Sequence, residues 1–529
     1  MNVAHLLVDG SRRAGGADAL VFGGRRTSYP ELVDRVARVA AGLRRLGLRP
    51  GDRVALLLPN RPELVEMLWA CFWGGFVAVP LNWHLHPDEI AYVVEQSGAA
   101  AILVSAETSA AADMLPPQVR IIRATAAEGT NASTAYSAVP AARPLDMAAV
   151  NNADPAWLFY TSGTTGRPKG ATLSHRNLAA MTAAYHADID PVAPGSSFLH
   201  AAPLTHGSGL YLLPAIGRGA TNVISPSGNF SPGDYLGQIE RHKITHAAFL
   251  APTMLNRIVR NPQFAKYDLS GLRSIVVGGA PLYQEDLRAA VNAFGPIITQ
   301  MYGQGEAPMT ITVMPPGDAL AHPGSCGRPF GGIDLRIVAQ DGSPVPDGSD
   351  GEVIVRGAVV MNGYWKNPKA TAETLVDGWL HTGDIGHLDP DDGYLYLTDR
   401  AKDVIITGGS NVYPREVEEV LLTHPAVREV AVVGVPDSEW GESVVAFVVA
   451  DQTLGADELV ELCKAHLASF KKPRSVVFVD DLPKNATGKI VKRQLRQETH
   501  SPSGSRPPGP STCLTCAASP TVSKSTGPP

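Results

Sequence analysis

Three glycines, three threonines, a serine and a lysine fall within eleven residues, Tyr160-Thr-Ser-Gly-Thr-Thr-Gly-Arg-Pro-Lys-Gly170. Glycine lets a backbone approach an anion closely, hydroxyls donate hydrogen bonds and lysine supplies a point charge, so the run suits a polyphosphate. It is not a Walker A loop, which needs Gly-x4-Gly-Lys-Ser/Thr, because Lys169 lies between Pro168 and Gly170. P-loop kinase chemistry is therefore disfavoured. The run follows an apolar strand at 156–161 and precedes a helical stretch at 174–184.

Six further segments carry reactive or nucleotide-binding residue types. They are Pro203-Leu-Thr-His-Gly207, Gly278-Gly-Ala-Pro-Leu282, Gln300-Met-Tyr-Gly-Gln-Gly-Glu306, Gly378-Trp-Leu-His-Thr-Gly-Asp384, Asp399-Arg-Ala-Lys-Asp403 and Pro483-Lys-Asn-Ala-Thr-Gly-Lys489. In this order the set resembles the motifs of the adenylate-forming superfamily, which holds AMP-dependent acyl-CoA synthetases, aryl-CoA ligases, luciferases and peptide-synthetase adenylation domains. The resemblance spans about residues 10–498.

The resemblance implies a two-step reaction. A carboxylate is a poor acyl donor, so it first attacks the α-phosphate of ATP to give an acyl-adenylate and pyrophosphate. The acyl group then passes to the thiol of coenzyme A, leaving AMP. Positioning, and stabilisation of the charge that builds at phosphorus, carry such a displacement.

By the same resemblance Thr161, Ser162, Gly163, Thr164, Thr165, Gly166 and Lys169 would hold the leaving phosphates, and Glu306, with Thr161, would bind Mg²⁺, an ion suited to hard oxygen donors. Gly279, Ala280 and Pro281, with Gln300, Met301, Tyr302, Gly303 and Gly305, would form the adenine pocket, Tyr302 stacking on the base. Asp384 and Arg400 would take the ribose hydroxyls, and His206 would gate the acid site. Lys489 would bring its ammonium to the reacting oxygens, Lys402 would be the hinge, and Gly408 and Gly409 would line the pantetheine tunnel.

One position departs from the pattern. The family usually has threonine before the metal-binding glutamate, where this chain has Gly305, with water, Gln304 or the Gly305 amide as candidate substitutes. No aspartate stands near His206 to hold an α-ammonium, so an amino acid is not expected as substrate. The implied acid-pocket wall, 204–212, 247–250, 278–281, Met301 and Met309, is mainly small or apolar, which suits an alkyl chain or an aromatic ring. A medium- or long-chain fatty acid is expected first and an aromatic acid second. CoA is the expected acceptor; transfer to a carrier protein, or a catalytically weak nucleotide-binding relative, is the alternative.

The elements that must position these residues are legible in the periodicity. Helix-period segments alternate with β-branched runs from Tyr29 to about Thr299, which predicts parallel sheets covered by helices. After Gly303 short strands and turns replace them, predicting a β-rich subdomain. A small α+β unit follows, whose helix at 456–470 places Leu459, Leu462, Cys463, His466, Leu467 and Phe470 on a packing face. The expected fold is α/β: a large N-terminal domain of βα-layered sheets plus the β-rich subdomain (1–399), a hinge (400–403), a small mobile α+β C-terminal domain (404–498) and a disordered tail (499–529). The aperiodic stretch 124–154 reads as a surface connection.

Composition agrees with this reading. The 529 residues are 44% hydrophobic and 18% charged, so a sizeable core is available. A net charge of −6 offers no excess of cations for a phosphate backbone, so nucleic acid is not expected as a partner. Five scattered cysteines make no disulfide framework, and the lone Cys513-x-x-Cys516 lacks a second pair for zinc. Neither a signal peptide nor a transmembrane segment is legible, so a cytoplasmic monomer or homodimer is expected.

Overall fold

The computed structural model describes residues 1–498 apart from 113, 125–132, 162–166, 226–229, 401–402, 408–409, 438–439 and 486–488. The expected tail at 499–529 lies outside the described residues.

The first sheet runs Ser133–Ala135, Arg120–Arg123, Ala99–Val104, Arg53–Leu57, Val77–Pro80, Pro155–Thr161 and Lys169–Ser174. Its central strands are continuous apolar runs with both faces buried, as parallel strands between helix layers must be. The helix Pro62–Gly74 covers it, started by Pro62 and stopped by Gly75 in the left-handed region at φ 71°.

That helix carries Glu66, which is fully buried. Arg35 Nε and Nη2 donate to its two oxygens at 2.8 and 2.7 Å, and the Tyr136 hydroxyl donates at 2.6 Å. A buried carboxylate is tolerable only with such partners. Tyr136 also corrects an expectation: the stretch taken for a surface connection contains the strand Ser133–Ala135 and this buried anchor. Single anchors leave no periodicity to read.

The second sheet has a parallel part built from Thr221–Ile224, Ser197–His200, His246–Leu250, Ser274–Gly278 and Ile298–Tyr302. It continues antiparallel through Thr312–Met314 and Ser325–Pro329 into Leu395–Arg400, Trp379–Leu388, Gly351–Gly357 and Ile333–Val338. The β-rich region is thus a hydrogen-bonded extension of the same sheet.

The small unit packs Pro414–Leu422 and Ala456–His466 on a sheet of Ser410–Val412, Ile405–Thr407, Gly441–Ala450, Val427–Asp437 and Ser475–Phe478. Its second helix is shorter than expected and ends at His466. Leu459 and Cys463 are buried, but His466 is exposed and Phe470, beyond the helix, is 47% exposed, so neither belongs to the packing face. No helix among the described residues is long and apolar enough to cross a membrane.

Two histidines make the core acid-sensitive. His175, which accepts from the Val3 amide, and His200, paired with Asn222, are buried, and burial lowers both to about 4. The unfolded chain takes up these protons near pH 6.5 and the folded chain does not until about pH 4, so stability falls as pH drops through that window. Each should cost up to about 1.4 kcal/mol per pH unit there. The urea midpoint should be clearly lower at pH 5 than at pH 7.5; a flat profile would show these histidines to be already protonated in the fold.

Candidate active site

Strand Pro155–Thr161 pairs antiparallel with Lys169–Ser174, and Thr161 lies opposite Lys169 in the register. The polyphosphate-type run is therefore the connection of a hairpin. This corrects the expected strand-to-helix placement: a strand intervenes before the helix His175–Asp188, whose first turn is closed by a Ser174–Asn177 capping box. Ser162, Gly163, Thr164, Thr165 and Gly166 lie outside the described residues.

At the mouth of that hairpin the predicted metal pair meets. Glu306 is buried, and its Oε1 accepts from the Thr161 hydroxyl at 3.1 Å. The same oxygen accepts from the Tyr364 hydroxyl at 2.7 Å, and the Lys169 ammonium lies over the Tyr364 ring, 5.0 Å from its centroid. Tyr364 was missed in the sequence, where its only local signal is an aromatic pair after glycine, Gly363-Tyr364-Trp365. Among the described residues no cluster of three or more His, Cys, Asp or Glu could cage a metal. One carboxylate beside a hydroxyl fits Mg²⁺, which keeps water and takes its other ligands from substrate phosphates.

Gly305 is packed tightly against the same strand. A Cβ there would stand 2.4 Å from Thr161 Cγ2 and 2.7 Å from Phe159 Cδ1. Gln304, one candidate for the missing threonine hydroxyl, is committed elsewhere: its Nε2 donates to Asp384 Oδ2 at 2.6 Å and to the Thr382 carbonyl at 2.9 Å.

The nucleotide-type residues converge as expected. Asp384, buried on strand Trp379–Leu388, accepts from the Tyr302 hydroxyl at 2.6 Å, and burial together with that carboxylate pushes the phenol pKa well up. Asp384 lies opposite Arg400 in the strand register; the Arg400 side chain is outside those described. Gly279, at φ 82°, follows the buried strand end at Gly278 and turns the chain toward Pro281.

These groups line one cleft of about 1480 Å³, together with His206, Gly207, Phe249, Gln300, Met301 and Lys489. Of the expected acid-pocket wall, Leu204, Tyr211, Ala247 and Met309 are buried behind the lining. Tyr211 donates its hydroxyl to Met301 Sδ at 2.8 Å, and its ring centroid is 5.7 Å from that of Phe249. The Phe159 and His206 ring centroids are 5.0 Å apart. Burial, with a smaller push from the Lys489 charge, lowers His206 to about 4. The imidazole is therefore neutral at pH 7, and can donate or accept but adds no charge.

Lys489 comes from the small unit. Its segment folds back on itself, with the Asn485 amide donating to the Lys489 carbonyl at 2.8 Å and the Lys489 amide to Asn485 Oδ1 at 2.9 Å. The helix Pro414–Leu422 docks this unit on the large one. Tyr283 donates to the buried Glu418 at 2.8 Å, and Arg415 donates to the Leu397 and Gly324 carbonyls at 3.1 and 3.2 Å. Glu418 is also paired with Lys492 at 2.8 Å and the Val432 amide at 2.8 Å, and Arg415 with Glu419 at 3.7 Å. Lys402, Gly408 and Gly409 lie outside the described residues.

Comparison with known proteins bears on what this cleft does. The AMP-binding enzyme family model matches residues 8–365, and the AMP-binding enzyme C-terminal domain matches 416–489. A feruloyl-CoA synthase of an Amycolatopsis species is 40% identical over 491 residues, covering 92% of this chain and 97% of that protein. The medium/long-chain-fatty-acid–CoA ligase FadD8 of Mycobacterium tuberculosis is 34% identical, covering 93% of this chain and 89% of that protein. The crystal structure of the anthranilate CoA ligase AuaEII in complex with anthranoyl-AMP superposes with a TM-score of 0.87 at 29% identity, covering 94% of this chain and 97% of that one.

Proposed function

Because this chain belongs to the AMP-binding enzyme family, we propose that it is an AMP-forming acid–thiol ligase that converts a compact aromatic acid into its CoA thioester. The observation that carries the reaction class is the convergence of Thr161, Lys169, Glu306, Asp384, His206 and Lys489 on one cleft. In the first half-reaction Lys169 and the hairpin hold the departing phosphates, Asp384 and Tyr302 hold the nucleoside, and Lys489 neutralises charge on the carboxylate and α-phosphate oxygens. Glu306 and Thr161 would hold Mg²⁺, which supplies charge neutralisation when bound. For the thiol step we infer that the small unit turns about Lys402, withdrawing Lys489 and bringing Gly408 and Gly409 to the cleft.

The choice of acid departs from the fatty acid expected first. Behind Phe249 and Met301 stand the fully buried Tyr211 and Leu212, and the Tyr211–Met301 hydrogen bond fastens that wall. Such a wall favours a flat ring over a long flexible chain. The relative named for feruloyl-CoA is also more similar than the one named for fatty acids, at 40% against 34% identity.

Mass spectrometry of a reaction holding ATP, Mg²⁺, CoA and a pool of arylpropenoic, arylacetic, benzoic and C8–C16 fatty acids tests both parts. Aryl-CoA thioesters should dominate. Preferred fatty acyl thioesters would overturn the substrate class, adenylates that CoA does not consume would redirect the acceptor to a carrier protein, and neither product would sink the ligase.

A further inference from the structure

The segment 361–365 leaves strand Gly351–Gly357 and, before helix Pro368–Thr374, is zipped along the hairpin strand Lys169–Ser174. The Asn362 amide donates to the Thr172 carbonyl at 2.9 Å, the Thr172 amide to Gly363 at 2.9 Å, and the Trp365 amide to Gly170 at 2.8 Å. On its other side the Met361 amide donates to the Glu306 carbonyl at 2.8 Å. Trp365 pins the far end, its indole donating to the Ser97 carbonyl at 3.1 Å and its carbonyl accepting from Gln96 at 2.8 Å. Backbone contacts therefore fix this strap to the lysine-bearing strand and to the carboxylate-bearing loop at once.

Tyr364 repeats the pattern with its side chain: the hydroxyl holds Glu306 Oε1 and the ring face holds the Lys169 ammonium. Both donors to Glu306, Thr161 and Tyr364, meet Oε1, which leaves Oε2 as the oxygen able to take a hard cation. Without the ring, a lysine side chain has several rotatable bonds and no reason to stand at a fixed distance from that carboxylate. We propose that Tyr364 is the positioning residue of the phosphate site, setting the Lys169 ammonium and the Glu306 carboxylate in register so that one accepts the phosphates while the other accepts their cation. It reacts with nothing itself. The proposal rests on the ATP and Mg²⁺ reading of this site.

Two substitutions separate the two contacts. Tyr364→Phe keeps the ring and removes the hydroxyl, and Tyr364→Leu removes both. Calorimetric titration of ATP into the full-length protein, with Mg²⁺ and with EDTA, reads binding without turnover. Wild type should bind ATP more tightly with Mg²⁺; no Mg²⁺ effect in wild type would refute the reading of the site itself. Given that effect, Tyr364→Phe should lose on the order of tenfold of the Mg²⁺-dependent increment, as loss of an outer-shell partner does, with affinity in EDTA unchanged. Tyr364→Leu should also weaken binding in EDTA. In a cycle with Glu306→Gln the Phe change should add nothing further, which a general loosening of the fold would not produce. Wild-type Mg²⁺ dependence in Tyr364→Phe, or additive losses with Glu306→Gln, would overturn the proposal.

Discussion

Lys489→Ala should lose adenylate formation by at least on the order of 10²–10³-fold, the scale at which one charge-stabilising donor acts in a preorganised site, while thioester formation from supplied acyl-adenylate proceeds close to the wild-type rate. The asymmetry follows from where the lysine comes from. It stands in the cleft with His206 because the small unit is docked through Tyr283, Glu418 and Arg415. Charge builds on the phosphate and carboxylate oxygens only in the first half-reaction, so only that step needs a cation there. Pyrophosphate release measures the first half and AMP release from supplied adenylate plus CoA measures the second. Equal loss of both would remove Lys489 from its assigned role.

Gly305→Thr, which restores the residue the family usually carries, should lower adenylation rather than raise it. The site has no room for the side chain: Thr161 Cγ2 and the Phe159 ring occupy the positions that even a Cβ would press on, at 2.4 and 2.7 Å. Overpacking of this kind typically costs about 1–3 kcal/mol, and here it would push on Thr161, which donates to the metal-type carboxylate Glu306. A displacement near 1 Å at such a site can cost on the order of 10²-fold in rate. Adding Phe159→Leu should recover part of the loss, since the ring is one of the two obstacles. A single Gly305→Thr variant faster than wild type would show that the missing hydroxyl, and not the packing, is what limits the site.

The contrast between these two positions explains what could be read in advance. Lys489, Glu306, Asp384 and the hairpin loop announce themselves because their chemistry needs particular side chains in short runs, and short runs survive in a linear text. The Gly305 packing did not, because its cause lies at Phe159 and Thr161, about 145 residues away in the chain. Tyr364 was hidden for the same reason: its contacts to Glu306 and Lys169 are made across two strands and a loop. Among larger elements, the parallel strands are legible as apolar runs, and the small unit's Pro414–Leu422 helix can be placed to the residue by its initiating proline. The segment around Tyr136 fails the same test, since a chain held by one buried hydroxyl has no period. The strand that separates the phosphate hairpin from its helix is also hard to see, because Lys169–Ser174 mixes glycine, alanine and hydroxyl residues.

The docking face of the small unit brings its own counter-charges. Glu418 is paired with Lys492 and Arg415 with Glu419 inside that unit, so what crosses to the large one is the Tyr283 phenol and backbone carbonyls. Parting the two surfaces strands no ion in a dry environment, and each lost contact is a hydrogen bond worth about 1 kcal/mol or slightly more net of water. For a catalyst that must hold one arrangement for the first reaction and another for the second, this makes the two arrangements close in free energy. Neither becomes a trap, and occupancy of the cleft by substrate or product is enough to tip the balance.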